Sequence, residues 1–161
     1  MGLNELSGVL WRERQLLELL LFKLEEEQLI LTSGRTQWLG HATREVESVL
    51  EQIRTAELGR SMEADEAALE VGVPVGSGLR AIAGAAPAPW DTLLAEHHAA
   101  FVSLTDQINE LAQGNRELLA ASHRATRETL MSLQETVDTY DPRGGAATAV
   151  AGTSHLLDQA L

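Results

Sequence analysis

The chain has 161 residues, with 24 acidic against 12 basic side chains, six aromatics and no cysteine. A net charge of −12 repels phosphate and excludes sequence-independent nucleic-acid binding, and without cysteine there is no disulfide, thiolate nucleophile or thiolate metal site. The length allows one domain, and abundant Leu, Ala and Glu with few aromatics point to an all-α fold.

The spacing predicts a first helix over residues 3–32. Leu3, Leu6, Leu10, Leu17, Leu20, Leu21, Leu24 and Leu31 recur by threes, fours and sevens, as in a heptad pattern. The run Leu16, Leu17, Leu19, Leu20, Leu21 and Phe22, interrupted only by Glu18, is apolar almost all round. It requires cover on more than one side, from a third helix or a partner. Gly34 supplies a positive φ just past the helix end, and Thr36 is placed to cap the next helix.

The second helix is expected over residues 36–70, with a seam of Leu39, Ala42, Val46, Val49, Ile53 and Ala56. A short turn makes the two helices antiparallel. Folding about Gly34 pairs residues whose numbers add to about 67. Leu17 then faces Leu50, Leu21 lies near Val46, and Leu10 lies near Leu58.

Residues 71–88 form a linker rich in Pro and Gly, within an acid-free stretch that reaches Trp90. It is read as a connection containing one short helix, from Ser77 as cap to Ala85, with Val75, Leu79 and Ile82 plugging an end of the bundle. Pro89 suits the first turn of a third long helix over residues 89–140. Its seam is Leu94, His97, Phe101, Leu104, Ile108, Leu111, Asn115 and Leu118, and Gly114 marks a weak point where a kink could form. After Leu119 the apolar face resumes only at Leu130, Leu133, Val137 and Tyr140. Pro142, Gly144 and Gly145 end the helix, leaving residues 141–161 as a flexible tail with a short apolar cluster at its end. The architecture expected is thus an antiparallel hairpin plus a long third helix over residues 1–140.

No catalytic constellation is present. His97 and His98 are neighbours and point about 100° apart on a helix, so His97 reads as a structural seam histidine. Glu25, Glu26 and Glu27 spread around the helix as a solvated face. His41 and Glu45, four apart, suit a surface pair. Gly76, Ser77 and Gly78 lack the third glycine and preceding strand of a dinucleotide loop, and the E-x-x-H pairs of a di-iron bundle are missing. No enzyme activity, metal or cofactor is expected. Asn115 on the seam reads as a register-setting residue. The late face of Leu130, Leu133 and Val137 has two open readings: a bare, partner-binding helix end, or ordinary packing on the far end of the hairpin. With no basic segment ahead of an apolar run at the N-terminus, and no run of about 20 apolar residues, the chain reads as cytoplasmic.

Residues 10–28 (LWRERQLLELLLFKLEEEQ), then Gly34-Arg35 and Arg44-Glu45-Val46, resemble the FlgN-type flagellar export chaperones, in particular their actinobacterial branch. Asn115-Arg116-Glu117-Leu118-Leu119 resembles that family's Asn-x-x-Leu-Leu element. Residues 139–144 (TYDPRG) resemble its Tyr-Gly-x-x-Gly tail, with Asp141 where the wider family has Gly. The resemblance implies a cytosolic chaperone for the hook–filament junction proteins FlgK and FlgL, delivering them to the type III export apparatus and its gate protein FlhA. It implies cargo binding by the last helix, here Leu130, Leu133 and Val137, and gate docking by Tyr140. Contact with the membrane machinery would be through protein alone. A self-associating structural coiled coil is the rival reading.

Overall fold

The computed structural model describes the backbone of residues 2–140 and the side chains of residues 2–137. Residues 141–161, expected as a tail, lie outside the described residues. The elements in order are α1 (Gly2–Ser33), a 3-10 turn (Thr36–Trp38), α2 (Leu39–Val71), α3 (Leu79–Ala85) and α4 (Trp90–Tyr140), and the described residues contain no strand. The fold is all-α: a long hairpin with a third long helix.

α1 buries Leu3, Leu6, Leu10, Leu16, Leu20 and Leu24 along one side, the spacing its periodicity demands. It stops at Gly34, whose φ of +73° would strain any side chain. Thr36 does not cap α2. Residues 36–38 close a tight turn instead, in which Thr36 N–H donates to Gly34 O at 3.0 Å and Trp38 N–H to Arg35 O at 3.1 Å. Backbone carbonyls thus satisfy donors that a capping side chain would otherwise take. α2 ends in a left-handed cap at Gly72 (φ +78°), and Val73 N–H reaches back to Ala68 O at 3.0 Å.

The hairpin register runs slightly longer than expected. Lys23 meets Glu45 at 3.1 Å and Arg60 meets Glu13 at 3.1 Å. At the open end Leu3 N–H donates to Glu70 Oε2 at 3.0 Å. The pair nearer the turn adds to 68, close to the expected 67, and the two toward the open end add to 73. Leu17 and Leu50 do pack into one cluster, around Leu16, Leu20, Val46 and Val49. Leu58, expected beside Leu10, is instead 72 % exposed, and Arg60 occupies the position facing α1. Leu21 turns toward α4, where it lines a groove with Gln107 and Leu111.

A second cluster closes the other end of the hairpin. There Leu3, Leu6 and Leu10 meet Ala67, Ile82 and Leu94. Ile82 of α3 is fully buried and Leu79 packs beside it, so the linker does plug the bundle, but Val75 stands 56 % exposed. Ser77 is not the cap of α3: its hydroxyl donates to Pro74 O within its own turn, and Gly78 O accepts the first helical N–H bonds. Gly2 lies so close to α2 that an added Cβ would sit 2.9 Å from Ala67 N, which explains how the start of α1 and the end of α2 approach so tightly.

α4 is one unbroken helix through Gly114. It buries Leu94, His97, Leu104 and Asn115, with Phe101, Ile108, Leu111 and Leu118 half-buried, as its seam predicts. Trp11 packs on His97 and Leu24 on Asn115, so residue numbers rise together and α4 runs parallel to α1. α1 touches both other long helices, whereas no Cα of α4 comes within 8 Å of α2 among the described residues. α1 is therefore the central helix.

Candidate functional site

The length mismatch between α1 and α4 creates the most exposed apolar surface on α4. His97 lies against Trp11, and a Cβ on Gly114 would lie 4.0 Å from Gln28. The same offset carried to Ser33, the last residue of α1, reaches the neighbourhood of Leu119. From there α4 continues to Tyr140 beyond the end of α1 among the described residues, an overhang of about 30 Å at 1.5 Å per residue. Every residue of 120–137 is exposed.

Leu130 is 39 % exposed, Leu133 57 % and Val137 49 %, with Met131 beside them at 57 %. Spaced by three and four, the first three share one helix face. The reading of this stretch as ordinary packing on the hairpin is excluded, since the hairpin ends before it begins. Thr129 and Thr136 return their hydroxyls to carbonyls one turn back at 2.9 Å, so they offer no free donors. Tyr140 is the last residue of α4, and its side chain lies outside those described.

Where the overhang begins, α4 is tied to α1 by Asn115. Its Nδ2 donates to Leu24 O at 2.9 Å and to Glu27 Oε1 at 3.1 Å. Two acceptors around one nitrogen fix the amide orientation. The buried amide thereby ties α4 to the C-terminal half of α1. Glu27 also accepts from Thr43 at 3.5 Å, and Glu26 lies 3.8 Å from Lys23. Of the acidic triplet only Glu25 is exposed and without a hydrogen-bond or ion-pair partner among the described residues, and it lines the groove between α1 and α4. The hairpin turn brings α2 back along α1, as the short connection predicts. Glu45 pairs with Lys23, while His41 meets Arg44 at 3.3 Å.

Two further ionisable groups are buried. His97 is 1 % exposed, edge-on to Trp11 at 4.7 Å, and its Nδ1 has no hydrogen-bond partner. Burial holds its pKa below the ordinary value, with the Arg14 charge adding to the effect. Glu13 is 5 % exposed; burial raises its pKa, Arg60 opposes the rise and Glu57 adds to it. Neither sits among partners that could move a proton to a substrate, and no three His, Asp or Glu side chains among the described residues could hold a metal.

A bare apolar helix end is a surface that another helix can cover. A sequence model described as FlgN protein matches residues 1–148. The chain belongs to the FlgN family. The family is one of flagellar export chaperones rather than enzymes, and its role lies in building the flagellum. No curated protein and no solved structure matches the chain. No helix among the described residues is long and apolar enough to cross a membrane.

Proposed function

We propose that this FlgN-family protein is a cytoplasmic chaperone for the hook–filament junction proteins FlgK and FlgL, holding an amphipathic cargo helix against the overhang of α4. The observation that carries the reading is the exposure of Leu130, Leu133 and Val137 on a helix that has outrun its partner. An amphipathic helix laid along this face buries the apolar side chains of both proteins and keeps the cargo from polymerising early. The cargo is then exchanged at the export apparatus. Tyr140, at the end of α4, is the residue proposed to dock at FlhA. Membrane contact is through protein only, and neither nucleic acid nor a cofactor takes part.

Calorimetric titration with a FlgK C-terminal peptide tests this. Replacing Leu130 and Leu133 together by Glu removes two apolar anchors, each worth about 1.5–3 kcal/mol when fully buried. Binding is expected to weaken by about a hundredfold or more, with the helical CD signal unchanged. Unchanged affinity would overturn the assignment. Removing residues 141–161 should leave cargo binding intact; loss of binding on that truncation would place the cargo on the tail instead.

A further inference from the structure

Exposed apolar side chains stand on each long helix, among them Trp11, Phe22 and Leu29 on α1, Leu58 and Met62 on α2, and Leu130, Leu133 and Val137 on α4. Beyond Tyr140 the chain runs on through residues 141–161. Residues 144–153 are only Gly, Ala, Thr and Val, without a charge. They lead to Ser154-His155-Leu156-Leu157-Asp158-Gln159-Ala160-Leu161. Leu157 and Leu161 are four apart, the spacing that sets two side chains on one face of a helix, and Leu156 is next to them. Three leucines so close together favour any apolar surface within reach.

Chain length decides which surface that is. Leu156 lies sixteen residues past Tyr140, and a chain of that length rich in Gly and Ala has a root-mean-square span of about 20–24 Å. Leu133 and Leu130 stand seven and ten residues back from Tyr140 along α4, about 10 and 15 Å at helical rise. Trp11 packs on His97, about 65 Å back along α4, which exceeds the roughly 58 Å that sixteen fully extended residues cover. Leu58 and Met62 flank Arg60, which pairs with Glu13 at that same far end. Asn115 is bonded to the Leu24 carbonyl, so Phe22 and Leu29 lie near its level, about 37 Å from Tyr140. Of these patches, the overhang face alone lies within the ordinary span of the segment. The tether holds the leucines there at an effective concentration on the order of millimolar.

We propose that residues 154–161 hold the place of the cargo: Leu156, Leu157 and Leu161 cover Leu130, Leu133 and Val137 in the free chaperone, and an incoming cargo helix displaces them. The inference rests on the cargo face proposed above. Three leucines bury less apolar surface than a helix laid along the whole overhang, so the exchange runs toward cargo. Cover for two-thirds to nine-tenths of the time leaves about a third to a tenth of the molecules open, and weakens the apparent cargo affinity by about three- to tenfold. Between cargoes the segment shields an apolar face that would otherwise meet other apolar surfaces. The cover is intramolecular and does not depend on protein concentration.

Hydrogen exchange of the full chain, read by mass spectrometry without cargo, tests the cover directly. In the full chain carrying Leu157→Glu and Leu161→Glu, backbone amides of residues 126–140 should exchange about three- to tenfold faster than in the parent. Those of residues 94–115 should be unchanged. The difference should be the same at every protein concentration, and should vanish when Leu130→Glu and Leu133→Glu are also present. Calorimetric titration with the FlgK C-terminal peptide tests the displacement: Leu157→Glu with Leu161→Glu should tighten binding by about three- to tenfold. Equal exchange, or equal cargo affinity, in parent and variant would overturn the proposal. Weaker cargo binding by the variant would also overturn it, and would make residues 154–161 part of the cargo site. An exchange difference that grows with protein concentration would overturn it in favour of a second copy. If cargo affinity is indifferent to Leu130→Glu with Leu133→Glu while the exchange difference persists, the cargo reading fails and the cover by residues 154–161 stands.

Discussion

Asn115 offers the most direct test of how α4 is held in register. Its amide makes one bond to the Leu24 carbonyl at 2.9 Å and one to the Glu27 carboxylate at 3.1 Å, while its Oδ1 is buried without a partner. The neutral bond contributes about 1 kcal/mol and the charge-assisted one about 1.5–3 kcal/mol. The stranded Oδ1 costs about 1 kcal/mol or more, and Glu27, half-buried, regains water when the amide is removed. Asn115→Ala should therefore cost about 2 kcal/mol, a fall in melting temperature of about 4–8 °C for a chain of this size. Asn115→Leu removes the stranded acceptor and adds apolar burial, so it should stay within about 1 kcal/mol of the parent. Asn115→Asp sets a carboxylate where the amide nitrogen now contacts Glu27. At pH 8 the repulsion should cost about 3–5 kcal/mol. The shared site raises the folded-state pKa of the carboxyl pair, so the lost stability should return as the pH falls through that raised value. Urea unfolding followed by CD at pH 8 and pH 5 measures all three. An alanine variant within about 0.5 kcal/mol of the parent, or an aspartate variant no worse than alanine at pH 8, would refute the role given to Asn115.

His97 makes stability depend on pH. Its folded-state pKa lies below the ordinary value of about 6.5, so its contribution is full above that value and is lost as the pH falls through the depressed pKa. Glu13 acts in the opposite sense: its raised pKa favours the fold below the ordinary carboxylate value and loses that advantage as the pH rises through the raised one. The difference in unfolding free energy between the parent and His97→Phe cancels the Glu13 contribution and should grow in favour of the variant from pH 7.5 to pH 5.5; a flat difference would show that His97 titrates normally. Gly72→Ala places a Cβ at φ +78° and should cost about 1 kcal/mol, read as a lower urea midpoint with unchanged slope. An unchanged midpoint would mean that the left-handed cap relaxes without penalty.

Much of the fold was legible because helical periodicity is local. The threes and fours of Leu3, Leu6, Leu10, Leu20 and Leu24 identify the buried side of α1 without knowledge of what covers it. The seam from Leu94 through Asn115 did the same for α4. The capping assignments failed at Thr36 and Ser77, where backbone carbonyls reached the waiting donors first. Leu58 was misplaced because a register carried over from the turn does not hold along the whole hairpin: pairs near the turn keep it, while Glu13–Arg60 and Leu3–Glu70 are shifted by several residues. Glu70, which binds the start of α1 through Leu3 N–H, carried no local signal, since the two residues lie at opposite ends of the hairpin.

The candidate site divides in the same way. The sequence alone determined that residues 130, 133 and 137 share one apolar face, because a helix repeats every 3.6 residues. It could not determine whether that face is covered. That depended on the parallel register of α4 on α1, anchored between Trp11 and His97 and between Leu24 and Asn115. Only with that register does α1 end some twenty residues before α4 does, leaving the face bare. Likewise the sequence showed that the Leu16–Phe22 run needs cover on several sides, and the tertiary structure decided which side stays open. Local pattern states what a helix must bury; the relative placement of helices, set by turns and a few long-range hydrogen bonds, decides what is left for a partner.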